Sequence, residues 1–231
     1  MCRMLGIAAT APVSPRELLC EAPRSLRELS REHADGWGIA IRERDTWTVD
    51  RGTACAALCS KFAGLADRKT LLMIAHVRKA TVGATSMANT HPFRRDGFVL
   101  AHNGTLRDIP AVVAGCSAER LAQVEGDTDS ERLFAFILTR IDSTGDVARG
   151  IALAVRDLHA GGDPGSASFL LSCGSKLYAH RAGRTLFTLA RGNATLVASE
   201  QLTDEAWVEV AEGAVVVIDA SSTMSIVSHA A

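Results

Sequence analysis

The stretch from Thr70 to Val77 reads TLLMIAHV and is almost continuously apolar. A strand of this composition is typical of a sheet that is covered on both of its faces. The chain must therefore supply further layers on either side of this strand.

The remaining pattern indicates what those layers are. Phe98 to His102 is a second apolar strand, and it runs into Asn103-Gly104, a pair typical of turns. Helices are predicted after Thr128, which can cap a helix, and from Asp146 to His159. Short strands separated by turns occupy residues 168 to 219. Blocks in this order predict an α+β fold in which helices cover the outer faces of antiparallel sheets.

Composition limits the class of protein. Lys and Arg number 25 and Asp and Glu number 26, so no broad basic field is present to bind nucleic acid. No apolar run approaches the roughly 18 residues of a membrane span, and the N-terminus lacks the features of a secretion signal. We therefore expect a cytoplasmic protein with reduced cysteines and a single domain over residues 2–231.

Cys2 stands directly behind the initiator methionine. A small residue at this place normally allows Met1 to be removed, which would leave Cys2 with both a thiol and a free α-amine. The amine has an ordinary pKa of about 8 and the thiol of about 8.5, so the amine can accept the thiol proton near neutral pH. The alternative is that Cys2 is an early residue of the first strand and packs as a small hydrophobic side chain.

Three other positions have both a functional and a structural interpretation. Arg78 follows a strand and could pair a substrate carboxylate through its guanidinium fork, or be a surface side chain. Asn103-Gly104 could aim an amide and a backbone N–H at one oxygen, as in an oxyanion hole, or form a hairpin turn. Asp129 could anchor a substrate ammonium, or simply complement the dipole of the helix that it begins.

Metal and phosphate sites have weaker support. Cysteine and histidine ligands are available at Cys55, Cys59, His76, His91 and His102, but neither a paired CxxC nor an HExxH pattern is present. No Gly-rich turn leads from a strand into a helix as phosphate binding requires. We expect no metal and no cofactor.

Taken together, the motifs occur in a characteristic order: Cys2, His33-Ala34-Asp35-Gly36-Trp37-Gly38, His76-Val77-Arg78-Lys79-Ala80-Thr81, Asn89-Thr90-His91-Pro92-Phe93, His102-Asn103-Gly104 and Thr128-Asp129-Ser130-Glu131. This order resembles the class II glutamine amidotransferase domain of the N-terminal nucleophile (Ntn) hydrolases. The resemblance is greatest to a stand-alone branch that includes γ-glutamyl hydrolases of ergothioneine synthesis and glutathione breakdown. The motifs extend over roughly residues 2 to 135, and their combination is far more specific than any one of them.

The resemblance implies a four-layer αββα sandwich of two antiparallel sheets flanked by helices. It also implies that Cys2 is the nucleophile and that its own α-amine is the base. Asn103 and Gly104 would form the oxyanion hole.

The resemblance further implies how a substrate is held. Arg78, helped by Thr81, would hold the α-carboxylate of a glutamyl group, and Asp129 rather than Asp127 would bind its α-ammonium.

The function that follows is hydrolysis of a γ-glutamyl amide through a thioester on the N-terminal cysteine, with release of glutamate and ammonia or an amine. Ammonia would pass to a separate synthetase, since the glutaminase fold occupies nearly the whole chain. One alternative is a γ-glutamyl hydrolase for a larger γ-glutamyl-cysteine-type compound, and another is a non-catalytic binding protein. The chain departs from the large synthases at Lys79 and Val82, where those proteins carry Trp and His, so the shape of the substrate pocket is open.

Overall fold

Two antiparallel sheets form the centre of the fold. The computed structural model describes residues 2–219, 221 and 223–229; Met1, whose removal the sequence predicts, lies outside these residues. The strands of the described part are β1 (Arg3–Val13), β2 (Trp37–Glu43), β3 (Thr46–Gly52), β4 (Thr70–Val77), β5 (Phe93–Arg95), β6 (Phe98–Leu106), β7 (Gly165–Ser172), β8 (Leu177–His180), β9 (Phe187–Arg191), β10 (Ala194–Ala198), β11 (Val208–Glu209), β12 (Ala214–Ile218) and β13 (Met224–His229).

Helices precede, separate and follow these strands. They are α1 (Leu26–Leu29), α2 (Ser60–Leu65), α3 (Ile109–Ala114), α4 (Ala118–Ala122), α5 (Asp129–Thr144) and α6 (Val147–Ala160), with a π-helical turn at Glu17–Glu21 and a 3₁₀ turn at Ala56–Leu58. Within the described ranges, none of these helices is long and apolar enough to cross a membrane.

The two sheets differ in strand order. The first sheet has the order β11-β9-β10-β1-β4-β2-β3, and the second has the order β13-β12-β8-β7-β6-β5. β1 therefore lies inside the first sheet between β4 and β10, with Arg3 opposite Val77 and Leu5 opposite Ala198. The N-terminal strand is thus fixed on both edges, which holds its first residues in place.

Three apolar layers stack through the molecule, and they confirm the predicted αββα sandwich. The layer between the sheets contains Met4, Ala8, Ile74, Val99, Ala101, Leu170 and Val216. The outer face of the first sheet packs against Leu18, Leu19, Leu26 and Phe62 from the short helices. The outer face of the second sheet packs against Leu133, Phe134, Ile137, Ile151 and Val155 from α5 and α6.

β4 confirms the prediction made from its apolar run, because Leu72 to Val77 are buried between layers. The prediction of a turn at Asn103-Gly104 is wrong. β6 continues through both residues to Leu106, with Asn103 opposite Ser168 and Gly104 opposite Ala167.

The cap predicted at Thr128, at the start of α5, is confirmed. The Thr128 hydroxyl accepts a hydrogen bond from the Glu131 N–H at 3.3 Å, as a cap should. The Glu131 carboxylate, however, accepts from the N–H groups of Glu125 and Gly126 and pairs with Arg95 at 2.6 Å. Glu131 therefore holds the incoming chain and the edge strand β5 rather than the cap residue.

Candidate active site

Pairing of β1 with β4 brings Cys2 and Arg78 together. Arg3 lies opposite Val77, so Cys2 comes opposite Arg78 one position further along the ladder. The Cys2 thiol donates a hydrogen bond to the Lys79 carbonyl at 3.5 Å. A small cavity of about 20 Å³ adjoins the thiol and is lined by Cys2, Arg78, Thr81, His91, His102, Gly104, Asp129 and Ser130, among others.

The surroundings of Cys2 favour its protonated form. Burial is the largest effect and raises the pKa of the thiol; the nearby Asp129 carboxylate raises it further, while Arg78 lowers it. A thiol of this kind is a poor nucleophile near neutral pH unless a base removes its proton.

Arg78 is buried, with 2% of its surface exposed. Its guanidinium forms hydrogen bonds with carbonyl groups of the loop that follows it. Nη1 donates to the Ala84 carbonyl at 3.3 Å, and Nη2 donates to the carbonyls of Val82 at 2.9 Å and Gly83 at 3.2 Å. The prediction that Arg78 could be an ordinary surface side chain is therefore wrong. In this conformation the cavity has room for about one water molecule, which is too small for a glutamyl group.

Lys79 and Val82, the two departures from the large synthases, contact the site through their main chains. The Lys79 carbonyl accepts the thiol hydrogen bond and the Val82 carbonyl accepts from Arg78. The Lys79 side chain is exposed.

The His33 to Gly38 stretch forms hydrogen bonds with the start of this loop. Asp35 Oδ2 accepts from the Ala80 N–H at 2.8 Å, and the Arg78 N–H donates to the Gly36 carbonyl at 2.8 Å. A Cβ on Gly38 would come within 2.0 Å of the His91 carbonyl oxygen, so this position requires glycine. The backbone at Gly38 therefore lies directly against that of His91.

Trp37 is a core residue of the first sheet. It is 1% exposed and packs edge-to-face on Phe62, with ring centroids 5.4 Å apart.

Asn103 and Gly104 face two different spaces because they are consecutive residues of one strand. The Asn103 side chain is buried, its Oδ1 has no hydrogen-bond partner among the described residues, and it lines a separate cleft with Arg3 and Glu200. Gly104 lines the Cys2 cavity. The pair therefore spans the boundary between the cavity and the cleft.

The Gly104 N–H points away from β7. Opposite it, the Ala167 N–H donates to Ala182 on the far side of β7, so the Gly104–Ala167 pair is not hydrogen-bonded. Two residues later the Leu106 N–H points the same way and donates to Asp129 Oδ2 at 2.8 Å. The open edge of β6 thus presents a backbone donor on the side where Asp129 lies.

The structure places Asp129, not Asp127, against the cavity. Asp129 is 4% exposed, and its Oδ1 accepts from the Ser130 N–H at 2.9 Å. Asp127 is exposed and bonds the Asn89 side chain through both its N–H and its carboxylate, which fixes the chain before α5.

Thr81 also lines the cavity, but it is exposed. Its hydroxyl lies 3.2 Å from that of Thr105. Thr81 is thus linked to β6 just beyond Gly104.

His102, which the sequence offered only as a metal ligand, and Ser130, to which it gave no role, connect these parts. His102 Nε2 lies 3.1 Å from the Ser166 carbonyl, which can only accept, so Nε2 carries the proton and Nδ1 accepts from Ser130 Oγ at 2.8 Å. This bond ties β6 to the first turn of α5 next to Asp129. Both residues belong to motifs named in the sequence, His102-Asn103-Gly104 and Thr128-Asp129-Ser130-Glu131. Their position beside the candidate site residues was the signal that could have indicated a role in the site.

The histidines offered as metal ligands do not form a metal site. The rings of His76 and His91 lie 4.3 Å apart, and burial lowers the pKa of His76 to about 3 and that of His91 well below its ordinary value. Over the described ranges, no three His, Cys, Asp or Glu side chains are grouped as metal ligands.

Comparison with known proteins identifies the family. The sequence profile of the glutamine amidotransferases class-II matches residues 1–193. The chain belongs to this family. A gamma-glutamyl-hercynylcysteine sulfoxide hydrolase of Mycobacterium tuberculosis is 31% identical over 224 residues, covering 91% of this chain and 89% of that protein.

Other class II relatives are longer than the part that matches. An inferred glutamine amidotransferase of Haemophilus influenzae is 31% identical over 196 residues, which are 78% of this chain and 63% of that protein. In relatives from Methanocaldococcus jannaschii, Escherichia coli and Saccharomyces cerevisiae, the matched part is 39%, 55% and 47% of the protein's length.

A solved structure of a glutamine aminotransferase class-II domain protein from Silicibacter pomeroyi superimposes with a TM-score of 0.75, covering 100% of both chains at 20% sequence identity. At this identity the similarity shows the fold alone. It agrees with the layers described above and supports the same sandwich fold.

Proposed function

We propose that the chain is a γ-glutamyl amide hydrolase, formed by a single domain over residues 2–231, whose nucleophile is Cys2 at a free N-terminus. The proposal is supported most directly by the lining of one cavity. A thiol, a guanidinium, a backbone N–H and a carboxylate meet there, and they belong to Cys2, Arg78, Gly104 and Asp129 respectively. The relative from Mycobacterium tuberculosis, named for hydrolysis of a γ-glutamyl compound, supports the reaction class.

In this proposal Arg78 and Asp129 hold the two charged groups on the α-carbon of the glutamyl unit. The Arg78 fork pairs the α-carboxylate once the 79–84 loop has opened, and the Asp129 carboxylate accepts from the α-ammonium. Fixing both groups places the γ-carbonyl beside the Cys2 thiol and turns the attack into a step within one complex.

The reaction then proceeds in two stages. The α-amine of Cys2 takes the thiol proton, the sulfur attacks the γ-carbonyl carbon, and the oxyanion is bound by Asn103 and the Gly104 N–H. The C–N bond breaks, the nitrogen leaves with the transferred proton, and a thioester remains on Cys2. Water attacks the thioester and releases glutamate and the free thiol.

A free amine is essential here because burial raises the pKa of the thiol. If Met1 stayed attached, the nitrogen of Cys2 would be an amide and could not accept the proton. Intact mass of the purified protein measures this directly.

The function is tested by measuring glutamate release from glutamine, glutathione and γ-glutamyl-cysteine derivatives. Turnover that is lost in Cys2→Ala and kept in Cys173→Ala is expected, because Cys173 is also partly exposed but follows β7, outside the cavity. Turnover retained in Cys2→Ala would refute the assigned nucleophile. An absence of turnover on every substrate would favour a non-catalytic binding protein.

A further inference from the structure

A second and much larger space lies next to Arg3, the residue that follows Cys2. This cleft measures about 480 Å³ and is lined by Arg3, Arg24, Asn103, Arg184, Glu200 and Gln201, among others. The glutamyl-binding residues proposed above do not line it, so it is available for another part of a substrate.

The cleft begins where the scissile bond would lie. Arg3 directly follows Cys2, and its Nη1 donates to the Cys2 carbonyl at 3.2 Å. Asn103 extends into the cleft while its neighbour Gly104 lines the Cys2 cavity. A carbonyl held between these two donors would therefore have the glutamyl carbon chain on the cavity side and the leaving group on the cleft side.

The cleft has an excess of positive charge. Three guanidinium groups line it beside the single carboxylate of Glu200, which pairs with Arg3 Nε at 2.5 Å. Among the described residues, Arg24 pairs only with the fully exposed Asp204, at 3.6 Å, which is a weak pair in water.

Arg184 is the least satisfied of the three arginines. It forms no ion pair with any residue in the described part of the chain, and its buried Nε has no hydrogen-bond partner there. The Arg184 charge is therefore not neutralised within the described part of the chain, and a ligand carboxylate in the cleft can pair with its guanidinium.

From these contacts we propose that the cleft is a subsite for the leaving group and binds a carboxylate on it. The preferred substrates are then γ-glutamyl amino acids or γ-glutamyl dipeptides, whose leaving amine carries a carboxylate, rather than glutamine, whose leaving group is ammonia. This inference rests on the proposed γ-glutamyl hydrolysis at Cys2. The bonds made and broken are those of the proposed γ-glutamyl hydrolysis: the amine leaves with the transferred proton, and water hydrolyses the thioester.

The test compares γ-glutamylglycine with γ-glutamylglycinamide, which has the same size but no carboxylate on the leaving group. The wild-type enzyme is expected to hydrolyse γ-glutamylglycine with a kcat/KM higher by about tenfold, the value of one charge-assisted contact. Arg184→Gln should bring the two values together, and added NaCl should reduce the preference of the wild type. Arg156→Gln, which alters an exposed arginine on α6, should keep the preference.

Each outcome has a distinct meaning. Equal kcat/KM values for the two substrates in an active wild-type enzyme would overturn the subsite and leave the proposed hydrolysis intact. A preference that persists in both Arg184→Gln and Arg24→Gln would also overturn it; the second variant serves if the first does not fold. Hydrolysis of neither substrate, nor of glutamine, would refute the function on which the inference rests.

Discussion

The Asp129 carboxylate accepts a hydrogen bond from the Leu106 N–H at 2.8 Å and so joins the first turn of α5 to the strand that carries Asn103 and Gly104. Asp129 thereby has a structural contact as well as a proposed contact with substrate. Asparagine keeps an oxygen that can accept from Leu106, but it removes the negative charge.

Asp129→Asn is therefore expected to fold normally and to raise the KM for a γ-glutamyl substrate by about tenfold or more, since a charged contact to the substrate ammonium is lost. Asp127→Asn is the matched control, since Asp127 is exposed and outside the cavity. Steady-state kinetics on both variants checks this. A similar KM in the two variants would contradict the role proposed for Asp129.

The reactivity of Cys2 should depend on pH in a defined direction. Burial and Asp129 both raise the pKa of the thiol, so alkylation of Cys2 should increase with pH around a midpoint above that of an ordinary cysteine. Asp129→Asn removes one of these causes and should move the midpoint to lower pH. Mass spectrometry of the Cys2 peptide after timed alkylation measures it, and an upward movement in the variant would contradict the electrostatic account.

Gly38 and Gly64 should respond to alanine in opposite ways. A Cβ at Gly38 would meet the His91 carbonyl oxygen at 2.0 Å, so Gly38→Ala should destabilise the protein by several kcal/mol. Gly64 lies in α2 with nothing within 4 Å of an added Cβ, and Gly64→Ala should stabilise by up to about 1 kcal/mol. Denaturant unfolding checks both, and a Gly38→Ala protein as stable as the wild type would show that the backbone approach is not rigid.

The stability of the fold should fall with acidity in the range set by its buried histidines. Burial lowers the pKa of His180 to about 4, below its ordinary value of 6.5. Between these two values the unfolded chain binds a proton that the folded protein does not. The stabilising effect of the neutral ring is therefore complete above pH 6.5 and is lost as the pH falls toward 4, at up to about 1.4 kcal/mol per pH unit.

His180→Asn keeps a donor for the Ala214 carbonyl, which His180 Nδ1 contacts at 3.0 Å, but it cannot titrate. The variant should show a shallower loss of stability between pH 6.5 and 4. Phe62→Leu, which changes a buried ring on the outer face of the first sheet, should lower stability equally at each pH. Parallel slopes for His180→Asn and the wild type would contradict the assignment.

The sequence predicted those features that depend on local pattern. The apolar run of β4 and the Thr128 cap of α5 need only a few consecutive residues, and both are confirmed. The Asn103-Gly104 pair was assigned to a turn because its local preference is strong. Its strand conformation comes from pairing with β7, more than sixty residues later, which no local rule detects.

The arginine cleft could not be predicted for the same reason. Arg3 and Glu200 are 197 residues apart in sequence and meet because β10 pairs with β1. Arg184 enters the same cleft from the segment between β8 and β9. By contrast, the candidate residues Cys2, Arg78, Gly104 and Asp129 were found because each belongs to a short motif of a family to which the chain belongs.

The central claim is that Cys2, at a free N-terminus, attacks a γ-glutamyl carbonyl. The most direct measurement is the mass of the N-terminal peptide after treatment with an electrophilic glutamine analogue. The account predicts a peptide that begins at Cys2 and carries one analogue on its sulfur, with glutamate release abolished in the same sample. A peptide that retains Met1, or an unmodified Cys2 in an enzyme that the analogue has inactivated, would contradict it.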